Sequence, residues 1–490
     1  MPRQKRGILG VKKDPKHQIL YFGNNGEEWP SDDSEDSDYL PSDLEDDQPA
    51  SSKRKKKQGK GKNKKLILKE ESAKSNSLDI CVDLPPLPTE IWLKIFQDVV
   101  SVTGPLPFLC RAQKVCSSWK ELSEHPSLWR KVDLTYGWIK HKEETLRWLS
   151  ENRLSQCQDI NLSNWTLSSA LSVITERCPH LQTVNLSHCK KLTPDGVTSL
   201  ANNCTELRDI EFSDTSITST SLKELILKRF SKLKRIDVSC NKKLTGFTMV
   251  LDTIMKCSKL TVLDISSLEN VPTYVTFDIE EFQKSCPKLK VLRMGNNRYK
   301  GTPKTDDEVE KSAGFPDLEE FSIPDLSGRH NMHNTIVYDV FYRILHKSFK
   351  LKVLDIRGRC NESYAVLDIL PAADLESLHV GLSSMCYDDP YMGLFLKWRH
   401  SLKTIDLSWV QNVELAIQEL TSGPSLPLEK IQLTGSNIEY KDLRTLLKKC
   451  PKLNYVQLES CRNLVRGIKR LYKDEDITVL KEKIKSLGNI

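Results

Sequence analysis

Short stretches in which apolar and polar residues alternate recur through most of this chain. Each stretch has a leucine, two variable residues, and then two apolar residues separated by a polar one. Clear copies run from Leu181 to Leu186, from Leu233 to Val238 and from Leu260 to Ile265. Alternation turns every second side chain to one face, so each copy predicts a short strand with its apolar side inward.

These copies recur with a regular period. Twelve copies give a mean period of about 27 residues, within the range of 20–29 for leucine-rich repeats. A single unit cannot bury its apolar side, so we predict an α/β fold in which the units stack into a parallel-stranded horseshoe, a solenoid. The copies begin at Cys157, Leu181, Leu207, Leu233, Leu260, Leu289, Leu318, Leu351, Leu375, Leu402, Leu428 and Leu453.

Three short helices are predicted before the repeats. In the first, Leu87, Ile91 and Ile95 are four residues apart and share one helical face. The second is predicted over 106–116 and the third over 117–123. So small a unit buries little core alone. We therefore expect a partner chain or the neighbouring domain to cover its apolar face.

The same segment resembles an F-box. The residues that carry the resemblance are Leu87, Pro88, Glu90, Ile91, Ile95, Phe96, Val115, Cys116, Trp119, Leu128 and Trp129. The resemblance implies binding to the Skp-family adaptor of a ubiquitin ligase of the Skp–cullin–F-box (SCF) type. The adaptor-binding residues that it implies are Leu87, Pro88, Ile91, Ile95, Phe96, Val115, Cys116, Trp119, Leu122 and Trp129. The alternative is a helical subdomain that caps the solenoid, and an F-box can do both.

The repeats are similar to the cysteine-containing class of leucine-rich repeats found in F-box proteins. The segment Leu128–Leu134, followed by Trp138, is most similar to the subfamily numbered six among F-box/leucine-rich-repeat proteins. We predict a disordered charged tail over 1–80, the F-box over 84–131, the solenoid over 132–466 and a capping helix or tail over 467–490. The alternative for the last helix is contact with a partner helix.

One polar side chain per strand is predicted to face out from the concave side of the solenoid. Among these residues acidic types outnumber basic ones, which suggests a substrate that presents lysine or arginine. The alternative is that aspartate is simply common at this place in the repeat. The candidate substrate-binding residues are Glu211, Asp237, Asp264, Arg293, Asp355, His379 and Asp406.

Charge is concentrated near the N-terminus, although the net charge of the 490 residues is only +7. Glu27–Asp47 holds 11 acidic residues and Lys53–Lys65 holds nine basic ones. Neither stretch has the apolar residues that ordering requires. The basic run is interpreted as a nuclear localisation signal or as a plain solvated charge run. The acidic run suits an acidophilic kinase or serves as a spacer.

The sequence offers no catalytic motif, and we expect no catalytic residue, cofactor or metal site. None of its 14 cysteines forms a Cys-x-x-Cys pair, the spacing typical of zinc and redox sites. Most fall at matching positions of the repeat, which favours reduced, buried side chains. No signal peptide or transmembrane stretch is apparent, so a nuclear or cytoplasmic location is expected rather than secretion or membrane association. The predicted function is a non-enzymatic substrate receptor. The alternatives are an adaptor-bound scaffold without ubiquitin transfer and, less favoured, nucleic-acid binding by the basic run.

Overall fold

A computed structural model describes most of the chain from residue 87 onward. The predicted tail over 1–80, with its acidic and basic runs, lies outside the described residues. The described ranges are 87–139, 142–166, 170–268, 274–326, 335–358, 367–368, 370–382, 397–410, 412–464 and 468–487.

The segment before the repeats forms three α-helices and one 3₁₀ helix. Helix α1 follows Pro88 and ends at Gly104, whose φ of 78° is readily adopted only by glycine. The second helix is shorter than predicted, because two prolines precede it and the extended backbone of Cys116 follows it. The bounds are Thr89–Thr103 for α1, Phe108–Ala112 for α2, Ser117–Glu124 for α3 and Pro126–Trp129 for the 3₁₀ helix.

The repeats build one sheet of 14 strands, all parallel except for the last pair. All twelve predicted copies form strands, and the middle residue of each strand is buried. The strands are β1 Lys131–Asp133, β2 Asp159–Asn161, β3 Thr183–Asn185, β4 Asp209–Glu211, β5 Arg235–Asp237, β6 Val262–Asp264, β7 Val275–Phe277, β8 Val291–Arg293, β9 Tyr299–Gly301, β10 Glu320–Ser322, β11 Val353–Asp355, β12 Ser377–His379, β13 Thr404–Asp406, β14 Lys430–Gln432, β15 Tyr455–Gln457 and β16 Leu471–Lys473. Strands β7 and β9 pair separately.

Helices connect many of the strands, and helices of consecutive repeats pack on each other. In α6, Val197, Leu200 and Ala201 lie three and four residues apart on one helical face and are buried. The helices are α4 Glu143–Asn152, α5 Ala170–Arg177, α6 Pro194–Asn203, α7 Ser219–Arg229, α8 Phe247–Ile254, α9 Ile279–Ser285, α10 Asp306–Lys311, α11 Thr335–Leu345, α12 Val413–Thr421, α13 Tyr440–Lys449 and α14 Asp476–Leu487. Within the described part of the chain, none of the helices is long and apolar enough to cross a lipid bilayer.

A turn in the left-handed conformation follows almost every strand of the large sheet. The residue three positions after the end of the strand has positive φ, and its N–H donates to the neighbouring repeat, as Trp409 N does to the Thr434 oxygen at 2.7 Å. These turns therefore form a second ladder beside the strands. Its positive-φ residues are Asn164, His188, Asp214, Cys240, Ser267, Asn296, Gly358, Leu382, Trp409, Gly435 and Ser460.

The helical segment and the solenoid share one continuous hydrophobic core. Trp129 is buried at the join, and its indole donates to the Ser123 oxygen at 2.8 Å. Arg153, which directly follows α4, donates to Glu124 of α3 at 3.0 Å and lies over the ring of Trp148. The two parts are therefore packed as one body at this join.

The long interval after β8 is more ordered than its polar sequence suggests. It forms β9 and α10, and α10 begins with a capping box between Thr305 and Glu308. The buried Arg343 of α11 anchors this region through two hydrogen bonds to Glu280 and one to the Thr302 oxygen. A Cβ at Gly301 would displace that guanidinium, so the glycine leaves room for Arg343. The sequence over 328–334 is typical of a loop, and this segment lies outside the described residues.

Buried cysteines fill fixed positions in the repeat. Eight of the eleven cysteines that the structure describes are buried, and all eleven are free thiols. Burial raises the pKa of Cys178 and Cys204 to about 12, so both remain protonated. Packing therefore accounts for these buried cysteines.

The C-terminal end of the sheet is covered by two elements. The sequence predicts helix α14, but it gives no sign of β16, which pairs antiparallel with β15. Buried Ile477, Leu480 and Ile484 turn α14 towards the core. The buried Tyr472 holds β16 in place, and its hydroxyl accepts from the Lys469 N–H at 2.8 Å. Together they satisfy the open edge of the last repeat.

We predict that Tyr472→Ala lowers the free energy of unfolding by about 3 kcal/mol, because it leaves a cavity under the terminal strand. Urea unfolding of the purified chain measures the change. Leu471→Ala is the matched control, since Leu471 lies on the same strand and is exposed. Equal effects of the two substitutions would show that β16 does not close the solenoid.

Candidate functional site

One face of α1 exposes apolar side chains. Leu87, Ile91 and Ile95 each leave 38–47% of their surface exposed. Val102, which the sequence analysis missed, continues this face and is 85% exposed. Its spacing of seven residues from Ile95 is the signal that could have revealed it. Val115, after α2, is also exposed, as are Pro88 and Cys116. We call the exposed set Leu87, Ile91, Ile95, Val102 and Val115 the apolar stripe.

Aromatic side chains on the inner side of α1 hold the stripe in place. The Phe96 ring contacts the rings of Phe108 and Trp119 edge-on, with centroids 5.1 Å apart in each case. The Trp92 ring meets Trp119 in the same manner at 5.2 Å. These contacts fix α1 against α2 and α3, so the apolar stripe faces away from the core.

Three of the predicted adaptor contacts are not surface residues of the chain. Phe96, Leu122 and Trp129 are buried within the chain and cannot meet a partner in this conformation. The physical reason is helical phase: Phe96 follows Ile95 directly and therefore points about 100° away from it. Trp119 is half-buried. The seven others, Leu87, Pro88, Ile91, Ile95, Val115, Cys116 and Trp119, remain at or near the surface.

The structure brings the candidate substrate-binding residues into one column. They are the third residues of their strands, and the sheet register aligns them from Glu211 in β4 to Asp406 in β13. We call the side of the sheet formed by the first and third strand residues the ladder face. The column includes all seven predicted residues: Glu211, Asp237, Asp264, Arg293, Asp355, His379 and Asp406.

The turn geometry explains much of the acidic excess in this column. Side-chain oxygens at Asp237, Asp264, Asp355 and Asp406 each accept from the backbone N–H two residues further on, at 2.9–3.2 Å. Asn185 accepts in the same way. An oxygen on a short side chain is what this turn requires. The excess therefore favours the alternative that aspartate belongs to the repeat, over recognition of a basic substrate.

Two of the predicted substrate contacts, Asp355 and Asp406, are buried rather than exposed on the ladder face. Arg357, which the sequence analysis missed, covers them. Its Nε and Nη2 donate to the two Asp355 oxygens at 2.9 and 2.8 Å, and its Nη1 lies 3.6 Å from Asp406. Burial alone would raise the pKa of Asp406, but His379, Ser408 and Arg357 outweigh it and hold that pKa below its ordinary value.

Arg293 is also held by neighbouring carboxylates. Its Nε and Nη2 donate to Glu320 at 2.6 and 3.1 Å, and its Nη1 lies 3.8 Å from Asp264. Burial, reinforced by the charge of Asp237, raises the pKa of Asp264 to about 6. The folded chain therefore carries an unfavourable charge at this position at neutral pH. Glu211 accepts from the Asn185 amide at 2.7 Å.

Comparison with protein families matches both parts of the chain. A model described as F-box-like matches residues 84–135, and a model described as Leucine Rich repeat matches residues 177–201. The chain combines an F-box-like domain with leucine-rich repeats.

Several curated proteins that are similar to the chain are named as F-box or F-box/LRR-repeat proteins. The chain is 24% identical over 271 residues to F-box protein SKIP19 of Arabidopsis thaliana. That alignment covers 48% of this chain and 86% of the Arabidopsis protein. It is 28% identical over 227 residues to F-box/LRR-repeat protein 4 of Bos taurus, which covers 39% of this chain. The chain spans only about a third of that bovine protein (35%). Membership of the subfamily numbered six and the exact domain boundaries stay predictions.

Two solved structures align with most of the chain, but with TM-scores below 0.5. The Rad7 and Elc1 complex in yeast gives a TM-score of 0.40 at 15% identity, covering 77% of this chain and 91% of that chain. An internalin from Listeria monocytogenes gives 0.37 at 12% identity, covering 66% and 89%. The fold assignment therefore depends on the chain's own strand register, and no binding property follows from these structures.

We predict that Asp264→Asn stabilises the leucine-rich repeats at pH 7.5 but has little effect at pH 4. The folded pKa of Asp264 lies above its unfolded value, so the carboxylate lowers stability as the pH rises through about 4 to 6. Asparagine keeps the oxygen that the turn requires, as Asn185 does. The expected gain in unfolding free energy at pH 7.5 is about 1–2 kcal/mol.

Thermal or urea unfolding at the two pH values measures this difference. Asp195→Asn on α6 is the control, since Asp195 is exposed and far from the ladder face. An equal gain at pH 4 and pH 7.5 would contradict an elevated pKa for Asp264.

Proposed function

We propose that this chain is the substrate-recognition subunit of an SCF-type ubiquitin ligase. Its F-box-like domain binds a Skp-family adaptor, which joins it to a cullin–RING core, and the leucine-rich repeats bind a protein substrate. The observation that carries the proposal is the apolar stripe, which lies on a domain matched by an F-box-like family model. Exposed apolar surface of this kind marks a protein-binding site.

The packing of the join supports a role in positioning. The F-box-like domain and the repeats share one core, and the Arg153–Glu124 ion pair links the end of α4 to α3. A rigid join holds a bound substrate at a fixed place relative to the adaptor. It thereby raises the effective concentration of substrate near the ubiquitin-carrying enzyme. In this proposal the chain itself performs no covalent chemistry.

We predict that Leu87→Ala combined with Ile91→Ala abolishes co-purification of the adaptor. Both side chains are exposed, so the double variant should fold, while truncation of buried interface anchors typically costs about 2–4 kcal/mol of binding each. Co-expression followed by size-exclusion chromatography measures the complex.

Met249→Ala is the matched control, since Met249 is an exposed apolar residue on α8, within the repeats. The control variant should bind the adaptor normally. Adaptor binding that survives the double substitution would overturn the assignment of the apolar stripe.

Reconstitution tests the second half of the proposal. We expect the chain–adaptor complex to recruit a cullin–RING core and to support ubiquitin chain formation that the Leu87→Ala, Ile91→Ala variant lacks. A complex that holds the adaptor but recruits no cullin and transfers no ubiquitin would instead indicate a scaffold. The basic run Lys53–Lys65 supports a nuclear location for this activity, alone or together with a cytoplasmic one.

A further inference from the structure

The row of left-handed turns changes its chemistry along the sheet. Its first six members are Asn164, His188, Asp214, Cys240, Ser267 and Asn296. The later members include two large apolar residues, Leu382 and Trp409, with φ near 60°. These two residues lie in neighbouring turns, since the Leu382 N–H donates to the oxygen of Ser408, and they are 43% and 51% exposed.

Neither residue is explained by folding. A left-handed backbone disfavours side chains with a Cβ, and an exposed indole gains little from burial. Trp409 lies over Gly435 of the next turn, where any added Cβ would collide with the indole. The glycine thus supports one side of the ring and leaves the remainder open. Strained residues of this type are concentrated at functional sites.

A cationic group lies beside this apolar pair. Arg357 reaches across β12 towards Asp406, three residues before Trp409. Arg357 is about one-third exposed (33%), whereas Asp355 and Asp406 are buried. A ligand therefore meets the guanidinium before it meets the carboxylates.

Lys430 extends the cationic surface. It is the first residue of β14, it is exposed, and it has no ion-pair partner among the residues that the structure describes. Arg357 keeps N–H groups on Nη1 that form no hydrogen bond within the described part of the chain. The exposed Glu459 marks the end of this surface. From β11 to β14 the distance is about 14 Å, the length of four or five extended residues.

We propose that Leu382, Trp409, Arg357 and Lys430 form a docking surface for an extended acidic peptide segment that carries a large apolar side chain. The apolar side chain covers Leu382 and Trp409, and a carboxylate within about five residues of it accepts from Arg357 and Lys430. This inference rests on the proposed function, for which it names the class of substrate segment. Lys430, which has no ion-pair partner among the described residues, and the Nη1 N–H groups of Arg357 supply the charge complementarity.

Selection from a phage-displayed library of random ten-residue peptides tests the proposal on the purified full-length chain. We expect the selected peptides to combine Asp or Glu with Leu, Phe or Trp. Fluorescence anisotropy should show at least tenfold weaker binding of the best peptide to Trp409→Gly and to Lys430→Glu. Glycine suits the left-handed turn, so Trp409→Gly should keep or raise the melting temperature.

Two matched variants control the experiment. Cys240→Gly makes the same change at an earlier turn of the row, and Lys448→Glu reverses an exposed charge on α13 of the repeat that contains Lys430. Both should bind the peptide as the wild type does. Basic selected peptides, no selected sequence, or unchanged affinity in Trp409→Gly and Lys430→Glu would each overturn the docking surface.

A self-association that Trp409→Gly abolishes, measured by light scattering, would also overturn it, since a second copy would then be the occupant. These outcomes are separate from those of the proposed function. Adaptor binding and cullin recruitment depend on the apolar stripe and can be measured in the Lys430→Glu variant. Failure of peptide binding with adaptor binding intact refutes the docking surface alone.

Discussion

Burial of the middle residue of each strand is possible only because a neighbouring repeat lies on either side. Ile210, Ile236 and Leu263 are fully enclosed, and each depends on the strands before and after it. This constraint requires a different solution at each end of the stack. The F-box-like domain covers the first strand through Leu128 and Trp129, and β16 with α14 covers the last.

The same constraint divides the F-box-like domain into two faces. Its inner residues, among them Phe96 and Trp129, complete the core of the solenoid and so cannot serve a partner. Its outer residues, among them Ile91 and Ile95, contribute nothing to that core and remain exposed. A domain used for capping on one side thus keeps an apolar surface for binding on the other. The two roles considered from the sequence are compatible because they use different residues.

The repeat pattern was predictable from the sequence because it depends on local alternation and a fixed period. Each of the twelve copies became a strand in register with its neighbours. The burial of Asp355 and Asp406 was not predictable, because it depends on Arg357 reaching across an intervening repeat. Strands β7 and β9 were missed for a similar reason, since their pairing joins segments about 24 residues apart without the leucine pattern.

The repeat pattern itself explains many side chains of the ladder face, so only residues that the repeat does not require are informative about function. An aspartate that accepts from the N–H two residues on, as Asp237 does, is explained by the turn and carries no further information about a ligand. A glycine or asparagine in the left-handed turn is explained in the same way. Residues that the repeat does not require are different. Lys430 and Trp409 satisfy no need of strand, turn or core, and they belong to the neighbouring repeats of β14 and β13. Surface chemistry that folding does not explain is therefore concentrated at the C-terminal half of the ladder face.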